Sequence, residues 1–202
     1  YHLVSMIDRY LKSVSYGAQV RSIIWLSTEE KIDASLEPLK KPKWEQYYHG
    51  SDISEKALKE AKMGADQYFK EKILKVIENF GENAIIAFDD FVDAAPSLYP
   101  LLEKLYNQKI RIARHMNSGI ISLQHTYAGH RATSQSLQSN RYIIFFPRSQ
   151  QQRCTMFLKD HLQIPTPEAK VLVKRFASLA RSMVVQMHSP VCIFNDKYLL
   201  LI

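Results

Sequence analysis

A chain of 202 residues suits one well-buried domain and is short for two, and 46% hydrophobic with 23% charged residues is ordinary for a globular protein. No apolar run approaches the roughly 18 residues of a membrane span, and Cys154 and Cys192 lack any CxxC or Cys/His ligand spacing, which excludes a zinc module and fits a reducing compartment. The net charge of +7 divides unevenly, 13 Lys/Arg against 17 Asp/Glu in residues 1–103 and 14 against 3 in residues 104–202, which favours a polyanionic partner, nucleic acid first, over a merely solvated basic face.

Leu3, Val4, Ile7, Leu11 and Val14 recur at three- and four-residue steps, so residues 2–14 read as an amphipathic helix ending near Gly17. Ser22–Ser27 reads as a buried strand. The polar stretch Thr28–Gly50, with Pro38, Pro42 and a Lys-Lys-Pro-Lys run, reads as connection, with Trp44, Tyr47 and Tyr48 as its anchors. Asp52 with Glu55 three residues on resembles a capping box, and residues 53–80 follow as one long helix or a bent pair closing at Gly81. The run Ala84-Ile85-Ile86-Ala87-Phe88 shows no alternation and ends in Asp89-Asp90, the pattern of a strand buried on both faces of a parallel sheet. Leu98 to about Arg114 reads as a helix, Gly119–His125 as a third buried strand with a polar tip, and Arg141–Pro147 as a fourth. Residues 150–162 and 167–180 read as helices, and 183–188 with 191–194 as a hairpin turning at Ser189-Pro190. Strands alternating with helices define an α/β domain with a largely parallel central sheet.

Polar residues mark three strand ends: Asp89-Asp90, Gln124-His125 and Asn140-Arg141. Ligands of parallel sheets bind at the carboxyl ends of the strands. In a nucleotide-hydrolysing site one carboxylate orients Mg²⁺ through its water shell, a second polarises the attacking water, and a Gln amide holds that water in line. Asp89, Asp90 and Gln124 supply those parts. The plain alternatives are a strand that turns out into water and a satisfied polar strand end.

The order Ile-Ile-Ala-Phe-Asp89-Asp90, a helix, Arg114-His115-Met116-Asn117, then Ile120-Ile121-Ser122-Leu123-Gln124-His125-Thr126-Tyr127 resembles the genome-packaging ATPases of large double-stranded DNA viruses, the poxvirus type included. These belong to the HerA/FtsK superfamily of P-loop motors, and the specific likeness covers residues 84–146. The resemblance implies a P-loop NTPase-like (RecA/FtsK-like) three-layer sandwich that uses ATP and Mg²⁺. It further implies a homo-oligomeric ring acting on double-stranded DNA at a viral capsid or portal vertex, in the host cytoplasm or the virion. By position it gives Asp89 to Mg²⁺, Asp90 to catalysis, Gln124 to sensing and Arg114 to an arginine finger. One departure is plain: no G-x-x-x-x-G-K-[ST] loop occurs, and none of the six glycines stands in a phosphate-cradling loop. The first helix stands where a helix following such a loop would, so residues 1–202 are expected to be one ATPase domain whose first strand and Walker A loop precede Tyr1. A fragment without that loop is expected to hydrolyse ATP weakly or not at all. His125, Tyr127, His130 and Arg131 are candidates for a pore or subunit contact, or form an ordinary connecting loop. The rival readings are a cellular HerA/FtsK-like, helicase or terminase-like ATPase and a non-catalytic nucleic-acid-binding or assembly module.

Overall fold

The computed structural model describes residues 7, 20–28, 47–123 and 140–202. Contacts divide the chain into two compact units, Tyr1–Thr126 and Tyr127–Ile202. The first is α/β with a wholly parallel sheet; the second carries helices on a wholly antiparallel one.

In the first unit, β1 (Ser22–Ser27), β2 (Tyr47–Asp52), β3 (Ala84–Asp89) and β4 (Gly119–Leu123) lie in the order β2-β1-β3-β4. The central strands β1 and β3 bury residues on both faces, Ile24, Leu26, Ile86 and Phe88 on one and Ile23, Trp25, Ile85 and Ala87 on the other. Such strands have no solvent face to mark with polar residues, which is why their sequences run apolar without alternation. The expected helix 2–14 lies outside the described residues except for Ile7, which is helical and buried against the second face. Trp44 also lies outside them.

Two local readings need correction. β2 falls in and just beyond the stretch expected as connection; as the sheet's edge it needs one hydrogen-bonded neighbour, which β1 supplies along Ser22↔Tyr47 to Ser27↔Asp52. The cap of the next helix, α1 (Glu55–Ala61), is Ser54, whose hydroxyl accepts the Ala57 N–H at 3.1 Å; Asp52 instead accepts the Ser54 N–H at 2.7 Å. The long helical pattern is indeed broken, at left-handed Lys62 (φ 51°) and Gly64. It resumes as α2 (Ala65–Tyr68), a π-helical stretch Phe69–Leu74 and α3 (Lys75–Phe80). Ile73 and Ile77 reach the core from this segment, and each fully buried aliphatic side chain there contributes about 1.5–3 kcal/mol. The helix α4 (Tyr99–Ile112) closes the same face with Leu102, Leu105 and Tyr106.

In the second unit, β5 (Tyr142–Phe145), β6 (Met183–Gln186), β7 (Cys192–Phe194) and β8 (Leu199–Leu201) pair in sequence order. β5 therefore adds to no parallel sheet; it runs antiparallel to β6, Tyr142↔Gln186 to Phe145↔Met183. Helices α5 (Gln151–Leu162) and α6 (Thr166–Leu179) contribute Cys154, Phe157, Leu158, Val173 and Phe176 to a core shared with Val185 and Ile193. Cys154 and Cys192 are buried free thiols, and burial pushes Cys154 up to about 11. No described helix is long and apolar enough to cross a membrane.

His49 on β2 stacks on Phe80 at 4.1 Å with its Nε2 buried and without a partner among the described residues. Burial pushes its pKa below 6.5, so the folded state prefers the neutral ring. The stability tied to His49 is complete above the unfolded value and is lost as the pH falls from about 6.5 towards the folded pKa, because the unfolded chain then binds the proton more readily. Urea midpoints of the parent are expected to fall between pH 8 and pH 5, and His49→Phe, which keeps the stack, is expected to flatten that dependence. An unchanged dependence in the variant would assign the effect to other groups.

Candidate functional site

The carboxyl ends of the parallel strands are level: Ser27 is in register with Asp52 on one side and Asp89 on the other, and Asp89 with Leu123. Connections leaving this rim are tied together, the Ile53 N–H donating to the Ser27 carbonyl at 2.9 Å and the Ala95 N–H to the Ile53 carbonyl at 3.1 Å. β3 delivers two carboxylates there. Asp89 is half-buried, and its Oδ2 accepts the Trp25 indole N–H at 3.2 Å and the Ser27 hydroxyl at 3.4 Å.

Asp90 turns the chain. Its backbone is left-handed (φ 48°, ψ 36°), a conformation that Asp and Asn tolerate better than other residues with a side chain. The Asp90 N–H donates to the Leu123 carbonyl at 3.1 Å and its carbonyl accepts the Asp93 N–H at 2.9 Å, so the kink is hydrogen-bonded on both sides. This turn sends Phe91 back into the core that holds Phe88. The two rings lie 5.8 Å apart, and both meet Tyr106, at 5.2 and 5.3 Å. The aspartates are thus clamped between two buried aromatic residues, which fixes the backbone beneath them.

Asp52, the third carboxylate on the rim, is engaged by the Ser54 N–H, and its carbonyl accepts the Tyr68 hydroxyl at 2.7 Å. Burial first, then the charge of Asp52, pushes the Tyr68 phenol up. Among the described residues no group of three or more His, Cys, Asp or Glu is placed to hold a metal.

Gln124 and His125, and with them Tyr127, His130 and Arg131, lie outside the described residues; Leu123, on the rim, immediately precedes them. Asn140-Arg141 belongs to the second unit, where the exposed Arg141 guanidinium lies 5.5 Å from the Tyr142 ring centre. Arg114 is exposed in the turn between α4 and β4, at the amino end of the strands and hence at the opposite rim from Asp89. That turn is anchored there. The Asn83 N–H donates to the Met116 carbonyl at 3.0 Å, Asn117 Nδ2 to Asn83 Oδ1 at 2.8 Å, and the Ser118 hydroxyl to the Gly81 carbonyl. Asn117 is itself left-handed (φ 49°). The five residues of β4 span about 16 Å, so Arg114 and the aspartates of one chain belong to different sites.

Trp25 and Ser27 were not among the sequence candidates. The available signal was their two-residue spacing at the end of an apolar strand, which puts both on one face, but which acceptor they meet depends on register with β3. No family model, no curated protein and no solved structure matches this chain.

Proposed function

We propose that the chain is part of an ATP-driven translocase of double-stranded DNA, of the kind that packages a viral genome into a capsid, built on a P-loop-like α/β core and working as a ring. The observation that carries the proposal is the acidic tip of β3: two carboxylates at the carboxyl end of a central parallel strand, one oriented by Trp25 and Ser27, the other set on a hydrogen-bonded left-handed turn. The donor chemistry fits Mg²⁺, which takes one or two carboxylates and otherwise phosphate and water oxygens; Asp89 would serve it. Bound ATP·Mg²⁺ would supply the transferable phosphoryl group and its charge neutralisation. Asp90 would polarise the attacking water, and Gln124 would hold it in line.

Such a site also needs a phosphate-cradling loop, and no described glycine provides one at this rim: Gly50 lies within β2, Gly64 precedes α2, and Gly81 and Gly119 lie at the opposite end of the sheet. The decisive experiment therefore uses the protein expressed from its complete gene. Magnesium-dependent ATP hydrolysis stimulated by double-stranded DNA is the expected result. Binding to DNA without hydrolysis favours the rival module without catalysis. A viral factory or virion location, and a portal vertex as docking site, follow from the packaging role and stand or fall with it.

The basic second half would face DNA phosphates. Residues 140–202 carry nine Lys/Arg against three Asp/Glu, with Lys170, Lys174 and Arg181 exposed along and just beyond α6. DNA affinity is expected to fall steeply with salt and to be indifferent to sequence, each neutralised phosphate adding about 0.9 to the log–log slope. A flat salt response would reduce the excess to a solvated face.

A further inference from the structure

The rim carries a feature that the aspartates alone leave unexplained: a buried tryptophan whose one polar atom ends on Asp89. Trp25 is 4% exposed and packs on the sheet face that holds Ile23, Ile85 and Ala87. Its register partners are both small, Gly50 on β2 and Ala87 on β3, which leaves room for a large ring on that face of the sheet. Ser27, two residues on, shares that face and is in register with Asp89. An indole N–H can only donate, and it donates to Asp89 Oδ2 at 3.2 Å, where the Ser27 hydroxyl also arrives at 3.4 Å. Two donors converging on one oxygen restrict the rotation of a carboxylate that is itself only half-buried. Outer partners of this sort orient a metal-serving group, and their removal commonly costs ten- to a hundredfold in metal affinity.

Taking Asp89 to be the carboxylate that serves Mg²⁺, as proposed above, we infer that Trp25 is a positioning residue, which together with Ser27 holds Asp89 in the orientation that meets the nucleotide's cation and makes the indole a reporter of its arrival. The inference concerns residues that never touch the nucleotide. Their loss shows in the magnesium requirement more than in turnover at saturation, whereas merely structural damage would lower turnover and leave that requirement where it was.

The test uses protein from the complete gene carrying Trp44→Phe, so that Trp25 is the sole tryptophan within these 202 residues. Trp25→Phe and Ser27→Ala are each expected to raise the Mg²⁺ concentration for half-maximal ATP hydrolysis about tenfold. Ser27→Thr, which keeps the hydroxyl, should restore it. Adding Mg²⁺ to the ATP-loaded protein should change Trp25 emission in the parent and not in Asp89→Asn. If Trp25→Phe fails to fold, the Ser27 pair and the emission decide. An unchanged magnesium requirement in the Ser27→Ala variant and in folded Trp25→Phe, together with its loss in Asp89→Asn, would overturn the positioning role and leave the nucleotide site standing. If Asp89→Asn also hydrolyses ATP with the parent's magnesium dependence, or if the parent hydrolyses none, the nucleotide site fails and the inference with it.

Discussion

Asp90→Asn, made in the protein from the complete gene, is expected to keep its fold and its nucleotide affinity and to lose turnover by about 10²–10⁴-fold, the range general-base catalysis contributes. The choice of Asn follows from the backbone. At φ 48° most side chains are strained by roughly 1–2 kcal/mol, while Asn adopts this region about as readily as Asp. The two hydrogen bonds that set the turn, to Leu123 and from Asp93, use main-chain atoms that the substitution leaves in place. What changes is the loss of the negative charge that would polarise water in the proposed site. Asp90→Ala is the wrong instrument, because it strains the turn that seats Phe91 and mixes a folding defect with a catalytic one. Thermal unfolding, nucleotide binding and steady-state hydrolysis measured side by side separate the two. Parental turnover in a folded Asp90→Asn protein would remove Asp90 from the chemistry.

That Asp90 could be singled out from sequence, and Trp25 could not, reflects which physical facts are local. A strand buried on both faces is written in its own residues, so β1 and β3 are legible as apolar runs and the carboxylates at the end of β3 as a tip. Pairing is not local. Tyr47-Tyr48-His49-Gly50-Ser51-Asp52 becomes strand only because β1 offers it an edge, and nothing in the run Tyr142–Phe145 distinguishes a parallel partner from an antiparallel one. The Asp52–Glu55 spacing looked like a capping box, but Ser54 lies closer to the first turn of α1 and takes the cap, leaving Asp52 to hold the Ser54 N–H. The hydrogen bond from Trp25 to Asp89 joins residues 64 apart and exists only once β1 and β3 are in register. The Arg114–Asn117 turn is the converse case: its residues stand out in sequence, while its anchoring to Asn83 at the amino end of the sheet appears only in three dimensions.

Arg114 consequently admits one sharp test. Its exposed position at the rim opposite Asp89 rules out service to its own chain's aspartates, so an arginine-finger role requires a neighbouring subunit. The modest alternative is a cation near the carboxyl end of α4, beside Lys109 and Arg111 in its last turn, where the helix dipole gives about 0.3–1 kcal/mol. An arginine finger is worth about 10³–10⁵ in turnover, so the two roles differ by orders of magnitude in what its removal costs. Arg114→Ala is expected to melt close to the parent, since the turn is tied through Asn83, Met116, Asn117 and Ser118, and the Arg114 carbonyl that accepts the Asn117 N–H survives the substitution; it is expected to lose turnover by at least about 10³-fold. Mixing it with Asp90→Asn supplies the second readout. In a mixed ring, an Arg114→Ala subunit keeps Asp90 and can borrow the arginine of an adjacent Asp90→Asn subunit, so turnover rises above that of either variant alone. Parental turnover in Arg114→Ala, or no recovery in rings shown to exchange subunits, would return Arg114 to the end of α4 and leave the finger to be sought elsewhere in the complete protein.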